Sequence, residues 1–480
     1  ATKSIEEQFQ MEPVVLLRGI TGSGKTEIYI SLIQDYIAQG KSCLFILPEI
    51  ALTQQIVTRL NEFFGDQFLV YHSLVSQNKR FEIWKKVYEG KVKFIVGTRS
   101  ALFLPFKNLD LTIVDEEHDG SLKQTDSHPK FHLRDSMIYY SKHLGTKILL
   151  GSATPSVETY FNVQKDRYGY VELLERYGNA LVPEIELVDL RDTEVRSTMK
   201  SFYSEQLLSM VKQVVGRGEQ AILFQNRRGY SPYIQCNTCG FIQNCDSCDV
   251  RLTYHTTHKL LVCHYCNKKY TMRSTCGECK STELRAKGLG TQKVEEEVQL
   301  FLPSLKSARL DIDSASSSGK IDRLLEDFRD KKYDVLIGTQ MVAKGLDFEN
   351  LTLLGVLQAD NLFSFIDYKT DEKAFQTLSQ VSGRVGRGDK AGKVLIQTSE
   401  PQNRVIQFVL NNDWKGFADQ ELRNRENFIY PPYCKLLKIS IRHIKEDLVK
   451  IYADKITKRI ADSIKALVFG PSTPPVARIR

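Results

Sequence analysis

Nowhere in these 480 residues is there an uninterrupted apolar run long enough to cross a bilayer, which excludes a helical membrane-spanning protein. The opening residues, Ala1 to Gln10, are polar and charged and have none of the apolar stretch of a secretory signal or the character of a transit peptide. They also lack an initiator methionine, as expected of a shortened chain. An intracellular location, the cytoplasm, is the default expectation. Strong net charge is missing too. Lys and Arg number 66 against 58 Asp and Glu, a balance of +8 that is compatible with a polyanionic partner without demanding one. No low-complexity tract divides the chain. Its length exceeds one ordinary core, so several domains are expected.

Cysteine is almost absent outside one short segment. Of ten, only Cys43 and Cys434 lie outside Cys236 to Cys279. The other eight form four C-x-x-C pairs: Cys236/Cys239, Cys245/Cys248, Cys263/Cys266 and Cys276/Cys279. Two residues between thiols let one tight turn aim both sulfurs at one tetrahedral ion. Four turns supply two closed all-thiolate zinc sites. The segment is rich in turn residues and too poor in apolar ones to fold on its own core, so metal staples are needed. A disulfide framework conflicts with the intracellular expectation. An iron–sulfur cluster would also accept four thiolates. His255, His258 and His264 are surplus once eight cysteines saturate two tetrahedra. The spacing Cys245-x2-Cys248-x14-Cys263-x2-Cys266 falls just short of a zinc ribbon. It favours the inner pairs sharing one ion and the outer pairs closing over them, with sequential pairing as the competitor. With eight thiolates and two zinc ions the segment carries roughly −2, a poor magnet for phosphates. It reads first as a structural or protein-contacting module.

Around this insert, short apolar runs alternate with amphipathic stretches. Val14–Leu17, Cys43–Leu47, Phe94–Val96, Leu111–Val114 and Ile148–Leu150 read as buried strands, and Glu27 to Gln39 as a helix ended by Gly40. The pattern recurs in Ala221–Phe224, Val335–Ile337, Leu351–Leu357 and Lys393–Gln397. Alternating strand and helix predicts doubly wound parallel sheets, hence an α/β protein with two lobes. The expected division is a first lobe over 1–190, a second over 191–413 with the cysteine insert at 232–285, and a small α/β domain over 414–480.

Three segments carry chemistry. Gly19-Ile20-Thr21-Gly22-Ser23-Gly24-Lys25-Thr26 is a P-loop pattern between a strand and a helix. Its backbone N–H groups would surround the β-phosphate of ATP, Lys25 would reach the β- and γ-phosphates, and Thr26 would ligate Mg2+. In Leu111-Thr112-Ile113-Val114-Asp115-Glu116-Glu117-His118 a buried strand ends in carboxylates. Asp115 would reach Mg2+, and Glu116 would orient and deprotonate the attacking water. In Gln380-Val381-Ser382-Gly383-Arg384-Val385-Gly386-Arg387, Arg387 reads as an arginine finger with Arg384 as its neighbour, both far from the P-loop in sequence.

Together with Gly97-Thr98-Arg99-Ser100, Gly151-Ser152-Ala153-Thr154-Pro155 and Gly338-Thr339-Gln340-Met341-Val342-Ala343-Lys344-Gly345-Leu346-Asp347-Phe348, these anchors resemble the motif series of superfamily-two helicases, whose lobes are RecA-like. Pro48-Glu49-Ile50-Ala51-Leu52-Thr53 and Asn226-Arg227-Arg228-Gly229-Tyr230, running into the cysteine insert, narrow the resemblance to the PriA family of replication-restart helicases. The resemblance implies 3′-to-5′ translocation on single-stranded DNA, recognition of forked DNA, and partnership with single-stranded DNA-binding protein and primosome proteins that load the replicative helicase. It implies a bacterial, nucleoid-associated monomer. It further implies nested zinc pairs, nucleotide contacts from Gly345 and Asp347, and strand contacts from Thr98, Arg99, Thr339 and Lys344. Ser152 and Thr154 are expected to couple lobe motion to the ATP site, or to cap a helix. The family's amino-terminal DNA-binding domain and winged helix have no counterpart here. Gln8 stands too near Gly19 to match the family's adenine-reading segment, and Phe131 is the one aromatic in the loop after the acidic motif. A duplex translocase, an RNA helicase, and a zinc-dependent scaffold for replication proteins remain the competing readings.

Overall fold

The computed structural model describes the chain except residues 49–53, 126–127, 177–181, 227–232, 248–249, 256–259, 264–265, 267, 288–290, 311–317, 344–347, 365–366, 387–389, 391, 464–466 and 473–480. Two compact units emerge. One holds Ala1–Asn226 and Thr291–Tyr433, the other Arg227–Gly290 and Cys434–Arg480.

The first unit contains two parallel sheets. Strands β1 (Val14–Gly19), β2 (Cys43–Ile46), β3 (Phe68–Tyr71), β4 (Phe94–Gly97), β5 (Leu111–Asp115), β6 (Lys147–Ser152) and β7 (Gly169–Leu173) lie in the order β3-β4-β2-β5-β6-β1-β7. The strands in the middle of this sheet are buried throughout, which is why they read as unbroken apolar runs and not as alternating ones. Around them lie α1 (Thr2–Met11), α2 (Lys25–Ala38), α3 (Gln54–Phe64), α4 (Gln77–Tyr88) and α5 (Leu133–Leu144). In α1, Ile5 and Phe9 join the core, and Gln8 accepts a hydrogen bond from the Tyr170 amide at 3.3 Å. Gln8 thus fastens a helix to the edge strand β7.

The second sheet has the order β15-β16-β9-β17-β18-β8. Its strands are β8 (Glu184–Asp189), β9 (Gln220–Gln225), β15 (Ser307–Leu310), β16 (Val335–Gly338), β17 (Leu351–Leu357) and β18 (Lys393–Thr398). Helices α7 (Thr193–Thr198), α8 (Glu205–Gly216), α9 (Thr291–Phe301), α10 (Ser318–Arg329), α11 (Thr370–Ser382), α12 (Arg404–Leu410) and α13 (Trp414–Asn427) accompany it.

The lobe boundaries differ from the sequence division. β8 pairs with β18, so the second lobe opens ahead of residue 191. Trp414, Phe417, Ala418 and Leu422 of α13 sit in the second lobe's core, because an amphipathic helix buries its stripe wherever the nearest apolar face is. The lobes therefore keep the chain through Tyr433, and the terminal segment starts at Cys434 instead of Trp414. Helix α6 (Val157–Gln164) is the least expected element. It follows the last central strand of the first sheet, yet Val157 and Tyr160 pack into the second lobe's core. The chain leaves the first sheet at Ala153 to Ser156, returns to it in β7, and enters the second sheet at β8.

In the second unit, β10 (Tyr233–Cys236) pairs antiparallel with β14 (Leu284–Lys287), and β11 (Thr253–His255), β12 (Leu260–Val262) and β13 (Lys269–Thr271) form a small meander. Ile234, Leu252 and Leu261 with Cys245 and Cys263 make its modest apolar cluster. After Cys434 the described residues form one helix, α14 (Glu446–Ser463), with no buried residue.

Candidate functional site

The loop between β1 and α2 bends where its glycines allow. Gly22 and Gly24 have φ of 81° and 83°, the left-handed region that costs other residues strain. A Cβ on Gly19 would stand 2.5 Å from Ser23 Oγ and 2.8 Å from Lys25 Cγ. Lys25 folds back so that its ammonium donates to the carbonyls of Gly19 at 2.6 Å and Ile20 at 3.4 Å. Thr26 sits beside it in the first turn of α2. The loop is thus an anion cradle at a helix N-terminus, with its cation held nearby.

Asp115 closes β5 and accepts a hydrogen bond from the Tyr29 hydroxyl at 2.9 Å. Burial raises the Asp115 carboxyl to about 6, the neighbouring Glu116 charge adds to the rise, and Lys25 opposes it. Burial also pushes the Tyr29 phenol well up. The phenol lies directly over Gly151, where an added Cβ would come 1.7 Å from its oxygen. Glu116 has φ of 47°, rare for a residue with a side chain and a mark of local strain.

From this carboxylate a polar network runs across the lobes. Gln380 of α11 donates from Nε2 to His118 Nε2 at 2.9 Å and to Glu116 Oε2 at 3.3 Å. That donation assigns the imidazole proton to Nδ1, which lies 2.8 Å from Ser152 Oγ. The Ser152 hydroxyl accepts in turn from the Thr154 amide at 3.0 Å. Ser152 is therefore a link between segments, while the helix cap falls to Ser156, whose Oγ accepts from the Thr159 amide at 3.3 Å.

Glu117 is fully buried. It accepts from Arg134 Nη1 at 2.9 Å, the Ser156 amide at 2.6 Å and Thr159 Oγ1 at 2.8 Å. Burial alone would raise its carboxyl, but the Arg134 guanidinium and the Ser156 amide outweigh that and hold it below the usual range. Sequence reasoning quoted Glu117 and His118 within their motif without giving them a task. Arg134, seventeen residues after Glu117 at the start of α5, carried no signal of this pairing.

The second-lobe segment after α11 reaches the P-loop. Gly383 packs so tightly on Thr21 that a Cβ would sit 2.6 Å from Thr21 Oγ1. Arg176 donates from Nη1 to the Gly386 carbonyl at 3.1 Å while its stem lies 3.9 Å from the Cβ position of Gly22. Arg384 follows Gly383 directly. Arg387, Lys344, Gly345 and Asp347 lie outside the described residues.

Thr98 and Thr339 stand just past β4 and β16, buried. The hydroxyls of Thr98 and Ser100 are buried with no hydrogen-bond partner among the described residues. Arg99, expected on a strand phosphate, instead gives Nη1 to the carbonyls of Ser121 at 2.8 Å and Lys123 at 2.9 Å. It holds the loop after the acidic motif. Phe131 of that loop meets the exposed Phe103 edge to face at 5.1 Å. Phe103 was missed in the sequence because an apolar residue ending a motif looks like core.

In the insert, Cys236, Cys239, Cys276 and Cys279 bring their sulfurs within 4.8 Å of one another, as do Cys245, Cys263 and Cys266. Cys248, the expected fourth ligand of the inner group, lies outside the described residues. The outer and inner pairs are thus nested and not sequential. Sulfurs lie 3.6 Å apart for Cys236 and Cys279 and for Cys239 and Cys276, and 3.7 Å apart for Cys245 and Cys266. A zinc ion at ~2.3 Å from four sulfurs needs edges of about 3.8 Å, so the donor set fits that ion. Amides of Cys239 and Thr238 lower the Cys236 thiol to about 6; at Cys239 the Phe241 amide also lowers, but hydrogen bonds among the sulfurs win and raise that thiol to about 12. Together these are zinc-binding cysteine clusters.

Comparison with known proteins gives a consistent assignment. The DEAD/DEAH box helicase family matches residues 2–163, the helicase conserved C-terminal domain 289–389, and the PriA DNA helicase Cys-rich region domain 245–269. Replication restart protein PriA of Bacillus subtilis (strain 168) is 42% identical over 97% of this chain and 58% of its own length. Its counterpart in Rickettsia conorii is 38% identical over 97% of this chain and 71% of its own. The chain thus spans a little over half of the Bacillus relative. Among solved structures, RecG bound to a three-way DNA junction superimposes with a TM-score of 0.52 at 18% identity, over 88% of this chain and 46% of that one, a likeness of fold.

Proposed function

The chain belongs to the replication restart protein PriA family, and from that premise we propose that it is an ATP-driven 3′-to-5′ DNA helicase. In this reading it engages stalled or abandoned forks, translocates on single-stranded DNA and initiates primosome assembly. The observation that carries it is the meeting of Thr21 with Gly383, and of Glu116 and His118 with Gln380, across two lobes far apart in sequence.

ATP would lie on the backbone amides of Thr21, Gly22, Ser23 and Gly24, with Lys25 leaving the Gly19 carbonyl for the β- and γ-phosphates. Mg2+, held by Thr26 and Asp115, would neutralise charge between those phosphates. Glu116, aimed by its left-handed backbone, orients the attacking water and takes its proton. Arg384 and, by its place in the motif, Arg387 would serve the γ-phosphoryl group from the second lobe, and Gly345 and Asp347 would add nucleotide contacts. Hydrolysis lets the lobes part, and each cycle moves one lobe along the strand.

The hydroxyls of Thr98 and Ser100, without a hydrogen-bond partner among the described residues, would with Thr339 and Lys344 supply phosphate contacts without sequence preference. Phe103 on Phe131 offers a stacking edge for bases. The insert, with two Zn2+, would serve as a docking surface for single-stranded DNA-binding protein and helicase-loading proteins in the bacterial cytoplasm, and the chain would act as a monomer. Among the described residues no helix is long and apolar enough to cross a membrane. That the insert groups apart from the lobes supports a separable scaffold role beside the motor.

The test is ATPase rate with and without single-stranded DNA, with strand displacement on 3′- and 5′-tailed forks. Lys25→Ala should abolish both and spare partner binding. A hydrolysis rate indifferent to DNA, or unwinding from the 5′ tail, would overturn the reading.

A further inference from the structure

Two carboxylates from different lobes bind adjacent amides at one helix N-terminus. Glu117, from the acidic motif of the first lobe, accepts from the Ser156 amide at 2.6 Å. Glu372, on α11 of the second lobe, accepts from the Val157 amide at 2.9 Å. Both amides belong to the donors that a helix leaves unsatisfied at its start, and carboxylates are favoured there. α6 is therefore clipped from both sides where the chain leaves the first sheet.

Glu372 is held in turn by Arg425. This guanidinium, 1% exposed, gives Nη2 to Glu372 at 2.7 Å and Nε to Glu421 at 3.0 Å, while Nη1 lies 3.4 Å from Glu158 of α6 and 3.3 Å from the Pro431 carbonyl. Lys369 pairs with Glu158 at 2.5 Å. Glu372, Gln376 and Gln380 recur at four-residue intervals and so share one face of α11. Gln376 donates to the Thr154 carbonyl at 3.4 Å, and Gln380 reaches Glu116 and His118. Of these three residues Glu372 is the one that carries a charge itself and is locked by a guanidinium. It anchors the face of α11 that meets the acidic motif, and Arg384 lies just beyond the end of that helix.

We propose that Glu372 and Arg425 are positioning residues for ATP cleavage: by clamping α11 to the start of α6 they set the depth at which Gln380 and Arg384 meet the acidic motif and the P-loop. This rests on the ATPase reading above. Displacing such groups by about 1 Å costs up to a hundredfold in rate without loss of binding. Glu372 and Arg425 belong neither to the P-loop nor to the acidic motif.

The experiment uses the whole chain. Glu372→Gln keeps shape and an acceptor for the Val157 amide but removes the charge that Arg425 needs. Arg425→Lys keeps the charge but loses the fork. Each should lower DNA-stimulated kcat about tenfold, with KM for ATP within about twofold, and Glu372→Ala should cost more. Hydrogen exchange of 153–164 and 370–384 should rise in each variant, with thermal midpoint and zinc content near wild type. Folded Glu372→Gln and Arg425→Lys proteins that hydrolyse ATP at the wild-type rate, or lose only KM, would overturn the proposal. If the wild-type chain shows no DNA-stimulated hydrolysis, the motor reading fails by itself. Exchange then still decides: unchanged protection of both segments in Glu372→Gln would sink the clamp.

Discussion

Gln380 hydrogen-bonds His118 across the two lobes at 2.9 Å, with Glu116 on the same amide nitrogen at 3.3 Å. A neutral amide thus bridges the second lobe to the proposed water-activating carboxylate. Its bond to His118 Nε2 also places the imidazole proton on Nδ1, which faces Ser152. Gln380→Ala should leave ATP binding nearly intact and lower DNA-stimulated kcat by ten- to a hundredfold, about 1.4 to 2.8 kcal/mol of barrier. Steady-state kinetics beside equilibrium nucleotide binding would check it. A loss confined to KM would mean that Gln380 holds substrate and not the closed catalytic arrangement.

The Tyr29 hydroxyl occupies the space a side chain at Gly151 would need, 1.7 Å from its Cβ position. Both groups are buried, Tyr29 on α2 and Gly151 on β6, and Tyr29 cannot swing without dropping its bond to Asp115. Gly151→Ala should destabilise the chain by about 1–3 kcal/mol and weaken Mg2+-dependent hydrolysis at the same time. Urea unfolding and a Mg2+ titration of the ATPase test the two effects separately. Full stability in Gly151→Ala would show that the strand has room to move.

How much of this was legible beforehand depended on what kind of signal each element leaves. Central strands such as Leu111–Asp115 are buried on both faces and announce themselves as apolar runs. Edge strands do not. β7 and β8 mix buried and accessible positions, and β8 carries Glu184 and Glu186, so neither stood out. The P-loop and the paired cysteines were readable because their chemistry demands fixed spacing. The Glu117–Arg134 and Glu372–Arg425 pairs were not, since each joins residues separated by loops whose closure no local pattern encodes. The same holds for α6, whose sequence place assigns it to one lobe while its apolar stripe packs in the other.

His132, at the start of α5, lies beside Arg134 with its Nδ1 buried and unpartnered among the described residues. Burial, then the Arg134 charge, lowers its pKa from 6.5 to about 4. Between those values the unfolded chain binds a proton that the native chain refuses. Stability from this group is complete above pH 6.5 and drains away as pH falls toward 4. A shift of this size is worth on the order of 2–3 kcal/mol. His132→Gln should therefore flatten the loss of stability between pH 7 and 5, read by urea midpoints at a series of pH values. An unchanged slope would place the acid sensitivity elsewhere.

The nesting of the cysteines makes a stoichiometric prediction. Because Cys236 and Cys276 share one cluster and Cys245 and Cys263 another, the pure chain should contain two zinc equivalents. Cys276→Ser and Cys236→Ser should each lose the same one, and Cys263→Ser the other. The double change Cys236→Ser with Cys276→Ser should retain one ion, whereas Cys276→Ser with Cys263→Ser should retain none. ATPase should persist in all five variants, since Lys25, Asp115 and Glu116 belong to the other compact unit. The small apolar cluster around Leu252 and Leu261 cannot hold the insert's strands together alone, so proteolysis between 236 and 279 should follow metal loss. If Cys236→Ser with Cys276→Ser emptied both sites, the outer and inner groups would not hold their ions independently, and the stoichiometric prediction would fail.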